Sequence, residues 1–265
     1  MAPLSLRTSI KVKLIWAIFI AYILFACARL DFTWDRFVLG LHQGATFIGR
    51  LFPPHVLQPD SMLKGLQESV EIAILASFLG VIFSLPLGIL AARNLMPAWV
   101  TWIARGIIAL CRSFHPLIIA IIFVKAIGFG ALAGILTLVV ASMGFIGKLF
   151  AEAIEEISIK QVEAVRATGA PFFSVLDYGV FPQVMARFVG FVTYQIDSNL
   201  RNSTMVGIVG AGGIGGTLFA AYQRFDYDFV CAILLAIIAM IICGELIAKW
   251  VRILLIGRKT STEMA

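Results

Sequence analysis

The sequence predicts an all-α polytopic membrane protein, with about six transmembrane helices and one long polar loop. Three observations carry that prediction. Of the 265 residues, 60% are hydrophobic and 14% charged, and mean hydropathy is +0.97, whereas a soluble domain carries roughly a quarter charged residues. The apolar residues gather into runs of about 20, the helix length that crosses a hydrocarbon core of about 30 Å. In that layer every backbone polar group must be satisfied within the segment, which selects helices. The charge that remains is concentrated, because Ala151 to Pro182 holds Glu152, Glu155, Glu156, Glu163 and Asp177, five of the fifteen acidic residues.

The first apolar run, Val12 to Leu30, follows Arg7, Lys11 and Lys13. Its basic flank and the small Ala26-Cys27-Ala28 also suit a cleaved signal peptide, but the run is long enough to be a retained helix. A polar excursion from Asp31 to Glu68 comes next, broken by Pro53-Pro54 and weakly amphipathic, with a helix on the outer face as one reading. The second span is Ser69 to Ala91. Ala98 to Cys111, with Trp99, Trp102 and Arg105, suits a helix along the inner interface that Pro116 ends. The third span is Pro116 to Phe129, the fourth Ala131 to Phe150, the fifth Val184 to Val206 and the last Phe229 to Leu255, preceded by glycine-rich Gly207 to Gly216. With the N-terminus inside, fourteen of the 21 Lys and Arg residues fall on the inner side and seven on the outer. That bias places both termini and the polar loop in the cytoplasm.

Composition also excludes several function classes. The net charge of +6 is scattered over span ends rather than gathered in a patch, so nucleic acid is not a partner. Cys27, Cys111, Cys231 and Cys243 form no CxxC pair and read as small apolar packing residues. His42, His55 and His115 stand near loops or span ends, and no GxSxG elbow is present, so neither catalysis nor a metal site is expected. No GxxxxGK[ST] phosphate loop occurs, so no ATP site is expected. Gly210 to Gly215 fits GxGxxG, yet a membrane helix stands where a dinucleotide fold needs a strand. Glycines at such depth point to a broken helix facing a cavity, or to close helix packing.

Two stretches carry candidate function. In the polar loop, Ala151 to Ala167 reads as an amphipathic helix, with Ile154, Ile157, Val162 and Val165 on its apolar face. Gly169 suits a left-handed cap and Pro171 stops continuation, before a second short helix from Phe172 to Val180. Two short helices at a glycine elbow make a knob that can fill a partner's groove and pass on a rigid-body push; a plain solvated loop is the bland alternative. In the fifth span Asp197 and Arg201 stand four apart on one helix face and can pair. Ionisable groups at that depth mark a pathway or an internal ion pair. Arg201 with Ser203 and Thr204 offers donors suited to a phosphonate or phosphite oxyanion, with glycine N–H groups adding to them. Alternatively the Asp197–Arg201 pair is itself a gate.

These stretches resemble the permease subunits of bacterial ABC importers. The family's coupling loop runs Glu-Ala-Ala, three residues, Gly, nine residues, then Ile-x-Leu-Pro. Glu163, Ala164, Gly169 and Pro182 match it, whereas Val165, Gly179 and Phe181 depart, and Gly179 is expected to loosen the second helix. The run Asp197, Asn199, Arg201, Ser203-Thr204 and Val209 to Gly215 resembles phosphonate-type permeases, with Asp197 in place of a more usual Glu. Its glycine part also resembles methionine-type permeases, which implies a type I importer core. The resemblance implies one permease domain over 1–265, with an N-terminal span and periplasmic excursion at 1–68, a core at 69–265 and a coupling loop at 151–182.

The function so implied is the inner-membrane subunit through which phosphonate, phosphite or a related small oxyanion passes. It is not an enzyme and holds no cofactor, since ATP would be bound by partner subunits. The partners implied are two ATPase subunits, a periplasmic substrate-binding protein, a second copy of this chain and the lipid bilayer. Glu163, Ala164, Gly169 and Pro182 would couple to the ATPase. Asp197, Asn199, Arg201, Ser203, Thr204, Gly210, Gly212 and Gly213 would line or gate the pathway. A methionine-like permease is the alternative within the class. A gradient-driven secondary transporter is the alternative outside it, though the matched halves such a carrier would show are not visible.

Overall fold

A computed structural model describes residues 10–30 and 33–260, with side chains through Trp250; Arg7 and Asp31 fall outside them. Every regular element among the described residues is a helix, and the chain divides into two compact units, Met1–Pro53 and Pro54–Ala265.

The first unit contains α1 (Ile10–Arg29), apolar all round and long enough to cross a bilayer, and α2 (Trp34–Leu51). The polar excursion thus begins with an ordered helix more amphipathic than its linear sequence suggests. Trp34, Phe37, Val38, Leu41, Ala45 and Ile48 recur on one face, while Arg36, Gln43 and Arg50, seven apart, form the opposite stripe.

The second unit is organised by two parallel helices, α3 (Pro59–Ala91) and α6 (Ala131–Glu155). α3 starts ten residues before the predicted Ser69, because Pro59 suits a first helical turn and the polar Lys64 and Glu68 extend the helix beyond the apolar layer. Small residues bring the two backbones together. A Cβ on Gly80 would lie 2.4 Å from that of Ser142, and one on Gly88 would lie 2.8 Å from the Phe150 ring. Such small-residue contacts are how helices associate where lipid offers no hydrophobic drive. At one end, Arg93 N–H donates to Glu155 Oε1 (2.8 Å) and Asn94 Nδ2 to the Ile154 carbonyl (2.7 Å). This is called the loop end below.

Because α3 and α6 run in the same direction, the chain must cross back between them. It does so through α4 (Ala98–Ser113) and α5 (Pro116–Ile127), which meet at 90°. This corrects two expectations. The predicted third span, Pro116 to Phe129, is only a 12-residue helix, about 18 Å long, too short to cross alone. Nor does Ala98 to Cys111 lie flat at the interface. It climbs antiparallel to α6, with Arg105 at Glu155, Ile108 against Gly147 and Arg112 against Gly144. The break at Phe114-His115-Pro116 makes the pair a broken span or a re-entrant loop, and His115 Nδ1 accepts from Leu117 N–H (3.3 Å) to cap α5. Five helices are therefore long and apolar enough to span, or six with this bent pair counted as one.

Past α6 the predicted Ala151–Ala167 helix is split. α6 continues beyond Phe150 to Glu155, residues 156–158 break it, and α7 (Ile159–Ala167) starts anew. α8 (Phe172–Val175) runs through a π-helical turn at Leu176–Val180 into α9 (Phe181–Ile208), which starts before the predicted Val184. The wide turn precedes Pro182, whose missing N–H would break a regular ladder there. α10 (Ile214–Gln223), which the sequence reading lacked, follows the glycine segment, and α11 (Tyr227–Thr260) runs back antiparallel to α9.

Candidate functional site

At the loop end the predicted knob is held firmly. On α7, Val162 is 4% exposed and packs with Val175, Leu176, Val180, Ile154 and Phe150. Gly179 lies directly against Val162. A Cβ there would stand 3.4 Å from the Val162 Cα, an ordinary packing contact, and the second helix widens into its π-helical turn around Gly179. Gln183 Nε2 also donates to the Gly179 carbonyl (2.6 Å), while Gln183 Oε1 accepts from Ser158 N–H (3.0 Å). Three of the loop's carboxylates are paired, two of them to other helices and Glu152 within α6. Glu155 accepts from Arg105 Nη2 (2.7 Å), Glu156 pairs with Arg187, and Glu152 lies 3.5 Å from Lys148.

With Val162 turned inward, Glu163 and Ala164 face outward, and Glu163 has no ion-pair partner among the described residues. Gly169 takes φ +75°, the left-handed elbow, and is exposed. Pro182 is exposed in the first turn of α9, and Phe173 and Tyr178, 77% and 76% exposed, add an aromatic rim. The result is a projection whose open face sets Glu163 between Lys160 and Arg166 beside the aromatic rim.

Halfway along the bundle, α9 divides the remaining candidates between two faces. Asn199 and Ser203 point inward and are fully buried. Asn199 Nδ2 donates to Ser77 Oγ and Ser142 Oγ (both 2.9 Å), and its Oδ1 accepts from Gln195 Nε2 (2.9 Å). This polar cluster ties α9 to α3 and α6. Ser203 Oγ and Thr204 Oγ1 donate to their own helix at the Leu200 and Arg201 carbonyls (2.8 and 2.7 Å), so neither hydroxyl proton is aimed at Arg201's face.

On the other face Asp197 and Arg201 pair as their spacing predicts. Glu245 of α11 comes within 3.9 Å of the same guanidinium, a partner the sequence reading missed although a lone carboxylate in an apolar run was a signal. Arg201 is 51% exposed, and Asp197 Oδ1 is buried without a partner. Among the described residues no group of His, Cys, Asp and Glu could hold a metal ion.

The glycine segment packs rather than opening a cavity. Gly210, Gly212 and Gly213 all have φ above +80°. A Cβ on Gly210 would meet the Phe129 ring at 2.3 Å, and one on Gly212 would meet the Ala131 backbone at 2.8 Å. The Gly210 carbonyl accepts from Gly130 N–H (3.0 Å), and Ile214 N–H donates to Ser69 Oγ (2.9 Å). The segment seals the end of the α3–α6 pair opposite the loop.

Comparison with known proteins agrees with this architecture. Residues 84–259 match the family described as binding-protein-dependent transport system inner membrane component. The phosphite transport system permease protein of Stutzerimonas stutzeri is 41% identical over 229 residues, 85% of this chain and 82% of that one. The phosphate-import permease protein of Mycolicibacterium smegmatis is 39% identical over 77% of this chain and 38% of its own length. The inward-facing MetNI methionine ABC transporter superposes with TM-score 0.63 at 23% identity, over 72% of this chain and 94% of that one, a likeness of fold. The chain spans a membrane by several helices, contributes transport rather than catalysis, and belongs to the family of inner-membrane components of binding-protein-dependent ABC importers.

Proposed function

We propose that this chain is one half of a homodimeric pathway for a small tetrahedral phosphorus oxyanion such as phosphite, phosphate or a phosphonate. The relatives' names supply the substrate class. The observation that carries the reading is Arg201, a half-exposed guanidinium in the last third of α9, two residues from the Asn199 that bonds to the middle of α3 and α6. A charge at that depth faces protein or water rather than lipid, and a guanidinium fork suits phosphorus oxyanions. A second copy facing Arg201 would enclose the route.

Residues 1–265 act as one permease domain with both termini cytoplasmic, as the bias of basic residues favours. A periplasmic protein delivers the anion, and two ATPase subunits, which bind the ATP, seat on the outward faces of the two α7 helices. Glu163 and Ala164 make that contact, and Gly169 and Pro182 fix the angle of the knob. Closure of the ATPases on ATP displaces α7, and its packing on α6 and α9 carries the displacement to the helices that bear Asp197 and Arg201.

The test is co-purification with the candidate ATPase, joined to ATP-driven phosphite uptake in proteoliposomes. The wild type retains the ATPase and takes up phosphite, whereas Glu163→Arg loses both while the permease still purifies as a folded membrane protein. A wild type that binds no ATPase and transports without ATP overturns the reading in favour of a gradient-driven carrier.

A further inference from the structure

We propose that Arg201, Lys249 and Arg187 form a descending series of anion stations, and that Lys249 and Arg187 pass the oxyanion from the mid-bundle site toward the loop end. The proposal rests on the reading of this chain as an oxyanion permease and extends it to residues outside the predicted site.

Two features converge on it. Arg187, Tyr194 and Arg201 are seven apart on α9 and so lie on one stripe of the helix, and all three are exposed. Two cavities adjoin along that stripe. One, of about 560 Å³, is lined by Arg187, Gly190 and Tyr194 and by an apolar wall of Phe145, Leu149 and Phe191. The other, of about 250 Å³, is lined by Gly190, Tyr194, Asp197, Glu245 and Lys249. Shared walls at Gly190 and Tyr194 make them one groove. Because α11 runs antiparallel to α9, Lys249 stands across from Tyr194, about one helical heptad, or 10 Å, from each arginine.

The charges suit passage rather than capture. Arg201, Lys249 and Arg187 are balanced by Asp197, Glu245 and Glu156, so the empty groove has no net charge. Both arginines already hold a carboxylate of this chain, Asp197 or Glu156. An arriving oxyanion exchanges with that carboxylate instead of meeting a bare cation, which keeps each station weak enough to leave. Gly190 leaves the groove open, since nothing lies within 4 Å of a Cβ added there.

The experiment uses the full importer in proteoliposomes, with phosphite as probe and uptake per ATP hydrolysed as the readout. Arg187→Gln and Lys249→Gln each lower that ratio about tenfold, the loss expected for one charge-assisted hydrogen bond to the anion, and Arg187→Lys restores most of it. Glu156→Gln removes the same ion pair but keeps the cation, so its ratio falls clearly less than that of Arg187→Gln. If Glu156→Gln fails as badly as Arg187→Gln, Arg187 serves only to anchor the loop. If Lys249→Gln and Arg187→Gln both match the wild type, the relay is wrong while the permease reading stands. If the wild type itself shows no ATP-driven phosphite uptake, the underlying reading has failed instead.

Discussion

Replacing Asn199 by leucine separates a packing role from a conducting one. The side chain is fully buried and makes three hydrogen bonds, to Ser77, Ser142 and Gln195. Hydrogen bonds between membrane helices average about 0.6 kcal/mol and reach about 1.7, so their loss destabilises the bundle by roughly 2 kcal/mol. The lower end of the range applies because the former partners are not orphaned. Ser77 Oγ still donates to the Ala73 carbonyl (2.6 Å), and Gln195 Nε2 still reaches Ser142 Oγ (3.0 Å). Leucine has as many heavy atoms as asparagine but a larger volume, so some overpacking at this fully buried site adds to the loss. The assay is reversible unfolding in mixed micelles, with transport scored per folded molecule. The reasoning predicts a clear loss of stability and substantial transport by the folded fraction. A variant of wild-type stability that no longer transports would refute it and return Asn199 to the solute path.

Two glycine substitutions test the backbone arguments. Gly169→Val forces a branched residue into the left-handed region at φ +75° with no neighbour within 4 Å, so the penalty is conformational, about 1–2 kcal/mol. Hydrogen exchange in α7 should rise about five- to thirty-fold, Gly169→Asn should be milder, and unchanged exchange would show that the elbow is not strained. Gly80→Ala pushes a methyl to 2.4 Å from Ser142 Cβ and should cost about 1–3 kcal/mol by overpacking. Gly106→Ala in α4, with open space around it, should leave stability unchanged or raise it; equal losses at both sites would refute the close-contact account.

How much the sequence revealed depended on whether the signal was local. The long apolar runs of α3, α6, α9 and α11 were legible because hydropathy over about 20 residues is a one-dimensional property. The knob was legible because glycine and proline punctuate it and its carboxylates crowd one interval. The Asp197–Arg201 pair followed from helix periodicity alone. Contacts between distant segments were not legible. Gly179 looks only like a weak point in the string, and its contact with Val162 emerges once α7 is placed. Glu245 joins Arg201 only because α11 folds back along α9. The α4–α5 pair misled because tryptophans and an arginine are typical of an interface helix, whereas its path is fixed by the need to return across the bundle between two parallel helices. In α2 the polar residues look scattered until they are wound into a helix.

The close contact of α3 and α6 has a mechanical consequence. Backbones locked at Gly80, Gly88 and Ser142 cannot slide past one another, because every ångström of travel drives a Cα into a side chain or opens a void. The pair is therefore a stiff lever, anchored at one end by Arg93, Arg105 and Glu155 and plugged at the other by the glycine segment. In the proposed coupling, a displacement of α7 would therefore be carried along this pair with little lost to bending. On that proposal the compliance would fall to the contacts this chain makes with its partners.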